Sequence, residues 1–463
     1  MTPPAGAPRR GEDLTLDIVD LAFGGRGVGR ASGFVVFVEG ALAGERVRAR
    51  VLRVKAGYAE AATTQVLSAS PERTDPPCRH YGACGGCDLQ HLSPAGQAEA
   101  KGRQLKSMLQ RLAGLADPPV APAVAAGDPT AYRFRMDFDW ATGPDGGPIL
   151  GLHRAGRPAE ILPLDRCLLM PDEANRIRDC AADRSRRLGL SAWDARRRRG
   201  LLRRLGIQMA RGTTEILITL ETGRGDPPAL GELGRDLARS FPRVVGVVRR
   251  EFDRFDRPAG ESILVGRDHL FEQVEEDRLK VPAGAFFQPN ATGAVRLRHE
   301  ALAALEAGPH DSVLELYCGV GFFTLPVARR SRQVTAIDVS REAVAAARDN
   351  AARAGLGNTR LLCRDVEDAL PDLLRGAGPD ALLLDPPRAG LPRAAACAIA
   401  AATVPRVVYV SCDPSTLARD IRILGEEGGL RLRSVTPLDL FPQTHHLECV
   451  ASLERAPNTG TGS

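Results

Sequence analysis

Residues 313–324 read VLELYCGVGFFT. An apolar run over 313–316 stops at a turn carrying Gly319 and Gly321, and a helix-compatible stretch follows, so the local reading is strand, turn, helix. Glycine at both positions lets the chain turn tightly and lets a nucleotide-like ligand approach the backbone. The stretch has neither the G-x-x-x-x-G-K-[ST] of a phosphate-cradling loop nor the third glycine of a dinucleotide fingerprint. Outward from it lie further short apolar runs at 334–337, 360–362, 381–384 and 407–410, separated by helical stretches such as 341–354. Two more runs, 432–438 and 448–453, close the chain. From about Pro289 onward this alternation predicts an open, mostly parallel sheet of seven strands with helices on both faces.

Ligands of such sheets sit at the carboxyl ends of the strands. Asp338 ends the second strand and is placed to hold ribose hydroxyls; Asp365 ends the third and is placed to meet an adenine amine. Either alone reads as an ordinary solvated carboxylate. With the glycine turn ahead of them, at these intervals, they point to S-adenosylmethionine and not to a dinucleotide. Asp385-Pro386-Pro387-Arg388 ends the fourth strand. Enzymes that methylate amino groups often carry an aromatic residue where Arg388 stands, so this tetrapeptide argues for a different acceptor.

Residues 407–420 read VVYVSCDPSTLARD and place Cys412 where a strand gives way to a helix. A helix N-terminus favours a thiolate, which makes Cys412 a candidate nucleophile with a lowered pKa; an isolated Cys would read as a small buried hydrophobe. A thiolate has a use in methyl transfer to a pyrimidine. C5 of uracil is a poor nucleophile until a thiolate adds at C6, and a base must afterwards remove the C5 proton. Glu448, in FPQTHHLECVASL, is the base candidate, with His445 and His446 as substitutes. Cys180, Cys318, Cys363, Cys397 and Cys449 read as structural.

Upstream, CRHYGACGGC holds Cys78, Cys84 and Cys87 in a Gly-rich loop, and Cys167 follows about eighty residues later. A close triad with one distant cysteine is the ferredoxin kind of spacing, and the site is assigned to a [4Fe-4S] cluster. Zinc is the rival, with four thiolates or with His80 or His91 as ligands, although a second C-x2-C pair is missing.

The chain of 463 residues is 43% hydrophobic and 26% charged, which excludes a mainly disordered or collagen-like protein. No apolar stretch approaches the ~20 residues needed to cross a bilayer, the longest run, 394–404, reading as a buried helix. The start, MTPPAGAPRRGEDL, carries no apolar segment behind its basic residues. A soluble cytoplasmic protein with no membrane association is expected, and no obligate protein partner is evident. The net charge is +5, and only Lys55, Lys101, Lys106 and Lys280 among the 62 basic residues are lysines. Arginine is the better fork for phosphate. The run Arg196–Arg199 reads equally as an exposed helix face or as an RNA phosphate contact.

Over residues 11–70, alternating apolar residues and Gly turns predict a small β-barrel, with Arg48 and Arg50 projecting from one face. Ser93-Pro94 starts a helix whose stripe is Leu105, Met108, Leu109 and Leu112, with Gly114 to end it. Residues 117–130 read as a linker, strand-like pieces at 132–140, 206–210, 214–220 and 244–248 follow, and the tail after Arg455 reads as disordered.

The first segment resembles a TRAM domain. Taken with FFQPN, LELYCGVGFFTLP, LDPPRAGL, SCDPSTLARD, THHLECV and the four spaced cysteines, the whole chain resembles the RNA uracil-5-methyltransferase family, in particular its [4Fe-4S] subgroup with an N-terminal TRAM domain. The resemblance implies a multidomain α/β fold. A small TRAM/OB-like barrel would occupy residues 1–70, a central mostly β domain with the iron-sulfur loop 71–288, and a Rossmann-like class I methyltransferase domain 289–463. It implies Cys412 as nucleophile, Glu448 as base, and Gln288, Tyr317, Asp338 and Asp385 as contacts of S-adenosylmethionine, beside Gly319, Gly321 and Asp365. Phe322 stands where some relatives carry a polar residue. The implied reaction is methylation of a uridine at C5 in RNA through a covalent Cys–C6 adduct. Large-subunit (23S) ribosomal RNA is the first-choice substrate and the T-loop uridine of tRNA the second; a non-catalytic iron-sulfur RNA-binding protein is the alternative class.

Overall fold

The structure, a computed structural model, describes residues 7–225, 227–375 and 378–455; the tail after Arg455, expected to be disordered, and the first six residues lie outside the described residues. The amino-terminal strands are β1 (Asp13–Asp17), β2 (Asp20–Leu21), β3 (Gly27–Ala31), β4 (Phe34–Glu39), β5 (Arg46–Val54) and β6 (Tyr58–Ser68). They form one six-stranded sheet in the order β1-β5-β6-β4-β3-β2. The sheet curls into a small barrel. Val19 N–H donates to Val28 O at 2.8 Å, and a Cβ on Gly29 would sit 3.3 Å from Asp17 O. Along β5, Val47, Ala49 and Val51 point into the core while Arg46, Arg48 and Arg50 point out. Arg50 is held by Asp13 through two bonds of 2.9 and 2.8 Å, whereas Arg48 reaches only Gln65 Oε1, at 3.5 Å.

Helix α1 (Pro94–Leu112) starts where Ser93 Oγ accepts the Gly96 N–H. Leu105, Met108 and Leu109 are buried, but Leu112 is 44% exposed because the helix ends there. After β7 (Val124–Ala125) come β8 (Arg135–Thr142), β9 (Pro148–Arg154), β10 (Arg157–Pro163), α2 (Asp172–Arg187), β11 (Leu202–Met209), β12 (Ile216–Thr222), α3 (Pro228–Ser240), β13 (Val244–Phe252) and β14 (Pro258–Gly266). Strands β8 to β14 make a seven-stranded sheet in the order β10-β9-β8-β11-β12-β13-β14. Only β12 and β13 run parallel, and α3 is the crossover that joins them. Helices α2 and α3 cover a core containing Phe138, Leu205, Ile207, Ile218 and Leu233. Residues 196–199 are not helical. Backbone bonds between Asp194 and Arg199 close a tight loop, and Asp194 Oδ1 accepts the N–H groups of Arg196 and Arg197.

The carboxy-terminal part begins with a hairpin, β15 (His269–Val274) and β16 (Asp277–Pro282), and helix α4 (Ala291–Leu305). It continues through β17 (Ser312–Leu316), α5 (Thr324–Ala328), β18 (Gln333–Asp338), α6 (Arg341–Arg353), β19 (Thr359–Cys363), α7 (Val366–Leu373), β20 (Ala381–Leu384), α8 (Arg393–Ala401), β21 (Arg406–Ser411), α9 (Pro414–Gly428), β22 (Leu430–Asp439) and β23 (Glu448–Arg455). The sheet order is β19-β18-β17-β20-β21-β23-β22-β7. All seven expected strands are present. The eighth, β7, comes from the stretch read as a linker and pairs with Leu438 and Asp439; two residues are too few to show a period. Strands β17 to β21 are parallel, and β23 runs antiparallel between β21 and β22. The chain leaves β17 toward β18 and returns to β20 on its other side, so the switch point lies between β17 and β20. Among the described residues no helix is long and apolar enough to cross a membrane.

Candidate active site

The candidate residues follow the ends of β17, β18, β19, β20 and β21, with Glu448 at the start of β23. After β17, Tyr317 (φ 63°), Gly319 (φ 53°) and Gly321 (φ 90°) take left-handed conformations. Glycine meets this requirement without strain, whereas Tyr317 is held in it by its surroundings. Gly319 N–H donates to Asp338 Oδ2 at 2.9 Å, and Ser340 N–H donates to Asp338 Oδ1 at 2.8 Å. The Asp338 carboxylate is thereby fixed at the rim of the turn, each oxygen keeping acceptor capacity. Asp365 caps α7, its Oδ1 accepting Glu367 N–H at 2.8 Å, and is exposed.

Glu315, visible in the sequence only as the acidic residue ahead of the glycines, is 2% exposed on β17. Burial raises its pKa to about 8 against the opposing pull of the Thr324 hydroxyl, and the carboxylates of Asp385 and Asp338 push the same way as burial. Among the described residues ten buried side-chain N or O atoms lack a hydrogen-bond partner, and five of them belong to Gln288, Glu315, Thr324 and Glu448. Such orphaned groups fit S-adenosylmethionine, whose ammonium, carboxylate and hydroxyls need polar partners. Phe322 is buried edge-on against Phe287 and Phe323, with the Arg298 guanidinium 5.3 Å from its ring centre. It serves packing, which is why no polar residue is needed there.

On the far side of the switch point stand Asp385, Arg388, Cys412 and Glu448. Burial pushes the Asp385 carboxyl up to about 7. Glu448 heads β23, is 3% exposed, and is held well above the ordinary carboxylate range by burial and then by Asp385. Cys412 sits between β21 and α9 as expected, but its thiol is not lowered. Burial, followed by Glu448 and Asp385, pushes it up to about 12, against the pull of Arg388. The helix N-terminus does not compensate because Asp413 Oδ1 already accepts the Ser415 and Thr416 N–H groups. Both the Cys412 thiol and the Glu448 carboxyl are thus held toward their neutral forms. Arg388, read in the sequence only as a replaced aromatic, is the cation facing both. Its Nη2 lies 2.8 Å from His446 Nδ1. Burial, then His445 and Arg388, pushes His446 down to about 3, a poor base.

The segment before Glu448 gathers contacts from distant parts of the chain. Asp88 and Leu89 N–H groups both donate to Gln443 O, and His445 Nδ1 lies 2.7 Å from Asp88 Oδ2. Gln97 of α1 and Gln443 exchange two bonds, Lys101 Nζ lies 2.6 Å from Asp439 Oδ1, Tyr132 Oη donates to Pro442 O, and Phe23 of the barrel meets His445 edge-on.

Cys78, Cys84, Cys87 and Cys167 line one cavity of about 310 Å³ and are all free thiols. Gly85 lies close on His153 O, its N–H donating there at 2.9 Å, so the loop lies flat on β9. Cys167 is placed by Asn175, whose side chain bonds both its N–H and its C=O. Burial, with the neighbouring thiols, pushes Cys87 up to about 12. His80 lines the cavity, while His91 turns away and bonds Tyr81 Oη. Among the described residues no three His, Cys, Asp or Glu side chains are set closely enough to hold one ion.

Comparison with known proteins agrees with this architecture. A tRNA (uracil-5-)-methyltransferase family model matches residues 251–456, and a TRAM domain model matches residues 9–63. An uncharacterized RNA methyltransferase of Gloeobacter violaceus is 35% identical, covering 97% of this chain and 98% of its own. One of Chlorobaculum tepidum is 32% identical, covering 97% of each chain. The crystal structure of Pyrococcus abyssi tRNA (uracil-54, C5)-methyltransferase with S-adenosyl-L-homocysteine superposes with a TM-score of 0.73 at 24% identity, over 95% of this chain and 99% of that one. The chain belongs to the RNA uracil-5-methyltransferase family, with a TRAM domain at its amino end and an S-adenosylmethionine-dependent methyltransferase domain at its carboxy end.

Proposed function

We propose that the protein methylates C5 of a specific uridine in RNA through a covalent adduct between Cys412 and C6 of the base. The observation that supports this most directly is the convergence of Cys412, Glu448, Asp385 and Arg388 beside the switch point. The target base is extruded from its stack to reach them. Cys412 Sγ bonds to C6 as its proton leaves; Asp385, which ionises near neutrality, is the group fitted to take it. S-adenosylmethionine, when bound by Gln288, Tyr317, Gly319, Gly321, Asp338, Asp365 and Asp385, supplies an electrophilic methyl group to C5. Glu448, once ionised, takes the C5 proton, the C5=C6 double bond re-forms, and Cys412 leaves as the thiolate. Arg388 stabilises negative charge on either side chain.

Cys78, Cys84, Cys87 and Cys167 would hold a [4Fe-4S] cluster that shapes the RNA-binding parts of the chain. The RNA is assigned to the large ribosomal subunit; the second reading, the T-loop uridine of tRNA, is favoured by the description of the matching family model. RNA carrying 5-fluorouridine should trap a covalent complex with the protein and none with Cys412→Ala. A trap that survives that substitution overturns the adduct. Mass mapping of ribosomal and transfer RNA from a deletion strain separates the two substrates.

A further inference from the structure

The arginine loop at 194–199 and the turn between β13 and β14, Asp253 to Arg257, form a surface that the reaction above does not use. They border a groove of about 800 Å³ whose wall includes Trp193, Arg196, Arg198, Arg203 and Arg254. A second hollow of about 570 Å³ shares Trp193, Arg198 and Arg254 and adds Phe255. Phe255 is 50% exposed, although it is a large apolar ring. The guanidinium carbons of Arg254, Arg198 and Arg257 lie 4.9, 5.3 and 5.8 Å from its centre. Arg203 lies 3.8 Å over the Trp193 ring.

The carboxylates nearby are already engaged. Asp194 pairs with Arg197 and accepts two loop N–H groups, Asp253 accepts the Phe255 and Arg257 N–H groups, and Asp256 pairs with Arg203. Among the described residues Arg196, Arg198, Arg254 and Arg257 make no ion pair. Asp139 and Glu221, which also line the groove, both pair with Arg204, so the patch presents four arginines without an ion-pair partner around a half-exposed aromatic ring. Gly200 (φ 111°) fixes the loop, since a Cβ there would stand 2.1 Å from Ala192 O. The groove also reaches toward the chemistry, because His153 lines both it and the cysteine cavity, whose wall includes His446.

We propose that this patch grips a single-stranded segment of the substrate RNA outside the catalytic cleft, with phosphates on Arg196, Arg198, Arg254 and Arg257 and an unpaired base on Phe255. Guanidinium forks match phosphate, and a half-exposed ring among cations offers the stacking face that single strands use without regard to sequence. An acidic peptide would satisfy the arginines and leave the ring without a stacking partner. The inference rests on RNA being the substrate and is independent of which uridine is modified.

The test uses the full chain and a fluorescein-labelled oligouridylate of about twenty nucleotides, long enough to cover a typical single-strand site. Anisotropy is followed across a salt series. Arg198→Ser/Arg254→Ser should make the slope of log affinity against log salt shallower by about 1.4, about 0.7 for each phosphate no longer neutralised. Arg198→Lys/Arg254→Lys should restore the slope. Phe255→Ser should weaken binding about 5- to 100-fold and leave the slope unchanged. Unaltered S-adenosylhomocysteine binding by calorimetry shows that each variant is folded. Variants that bind with the wild-type slope and affinity overturn the proposal, as does a wild-type protein that binds the oligomer no better than a duplex of the same length. The 5-fluorouridine trap on the same variants keeps the two readings apart. Patch variants that bind like wild type and still trap RNA remove only the patch. A shallower slope with no trap in any variant or in the wild type removes only the adduct.

Discussion

Replacing Glu315 by Gln isolates the cost of keeping an acid in the core of the sheet. The side chain is 2% exposed, both of its oxygens lack partners, and burial raises its pKa from 4.5 to about 8. The sign follows from the raised value. Below pH 4.5 both folded and unfolded chains hold the proton and nothing is lost. As pH rises the unfolded chain releases it first, so the stability it contributes falls progressively and levels off only above the folded value near 8. At pH 7 the folded protein keeps a proton across about two and a half pH units at about 1.36 kcal/mol each, a cost of about 3 kcal/mol. Gln has nearly the same shape and nothing to ionise. Urea or thermal unfolding of the two proteins from pH 5 to pH 8 should show curves that nearly meet at the acid end and diverge to about 3 kcal/mol in favour of Glu315→Gln at neutrality. The comparison rests on the difference between the two proteins, because a chain of several domains need not unfold in one step. A difference that stays constant across the range, or that favours the wild type increasingly with pH, refutes the reasoning.

Formation of the 5-fluorouridine adduct should accelerate from pH 7 to pH 9, because the Cys412 thiol is held up at about 12 and must lose its proton to add to C6; a rate that falls over that range would contradict a raised thiol. Asp88→Ala removes the acceptor of the His445 N–H and leaves a part-buried donor unpaired, a cost of about 1–3 kcal/mol. It should lower the methylation rate while leaving S-adenosylhomocysteine affinity intact, and an unchanged rate would show that the Asp88 link does not position Glu448. Anaerobically purified protein should be coloured, with an iron-to-protein ratio of about four that falls in Cys87→Ala; a colourless protein with about one zinc per chain would assign the cavity to zinc.

The parallel sheet was legible because its strands are buried on both faces and read as unbroken apolar runs; 381–384, ALLL, is fully buried along its length. Cys412 and Glu448 are singled out because strand ends next to a switch point are where ligands bind, and the structure sets one just after β21 and the other at the start of β23. Other features depend on contacts between residues remote in sequence. Nothing around Cys412 announces that Glu448 and Asp385 arrive from other strands to raise its thiol, or that Asp413 takes the helix N–H groups first. The 196–199 run has no periodicity to separate a loop from a helix face, and its partner Phe255 lies on another hairpin. Asn175, which places Cys167, resembles any polar helix residue until the fold brings the two together.

The same long-range contacts fix the approach to Glu448. Burial holds the Glu448 carboxyl and the Cys412 thiol toward their neutral forms and keeps His446 low, which leaves Asp385 as the group able to accept a proton near neutrality. Glu448 begins a strand whose approach, Leu440 to Leu447, is held from outside its own sheet. Phe23 comes from the barrel, Asp88 from the cysteine loop, Gln97 from α1 and Tyr132 from the entry to the central sheet. The bonds from Gln97 and Asp88 span 346 and 357 residues of sequence. Gln443 sits in a left-handed conformation (φ 71°) at their centre, a geometry that a non-glycine residue keeps only when its surroundings enforce it. A segment fixed by four separate parts of the chain ties the position of Glu448 to all of them.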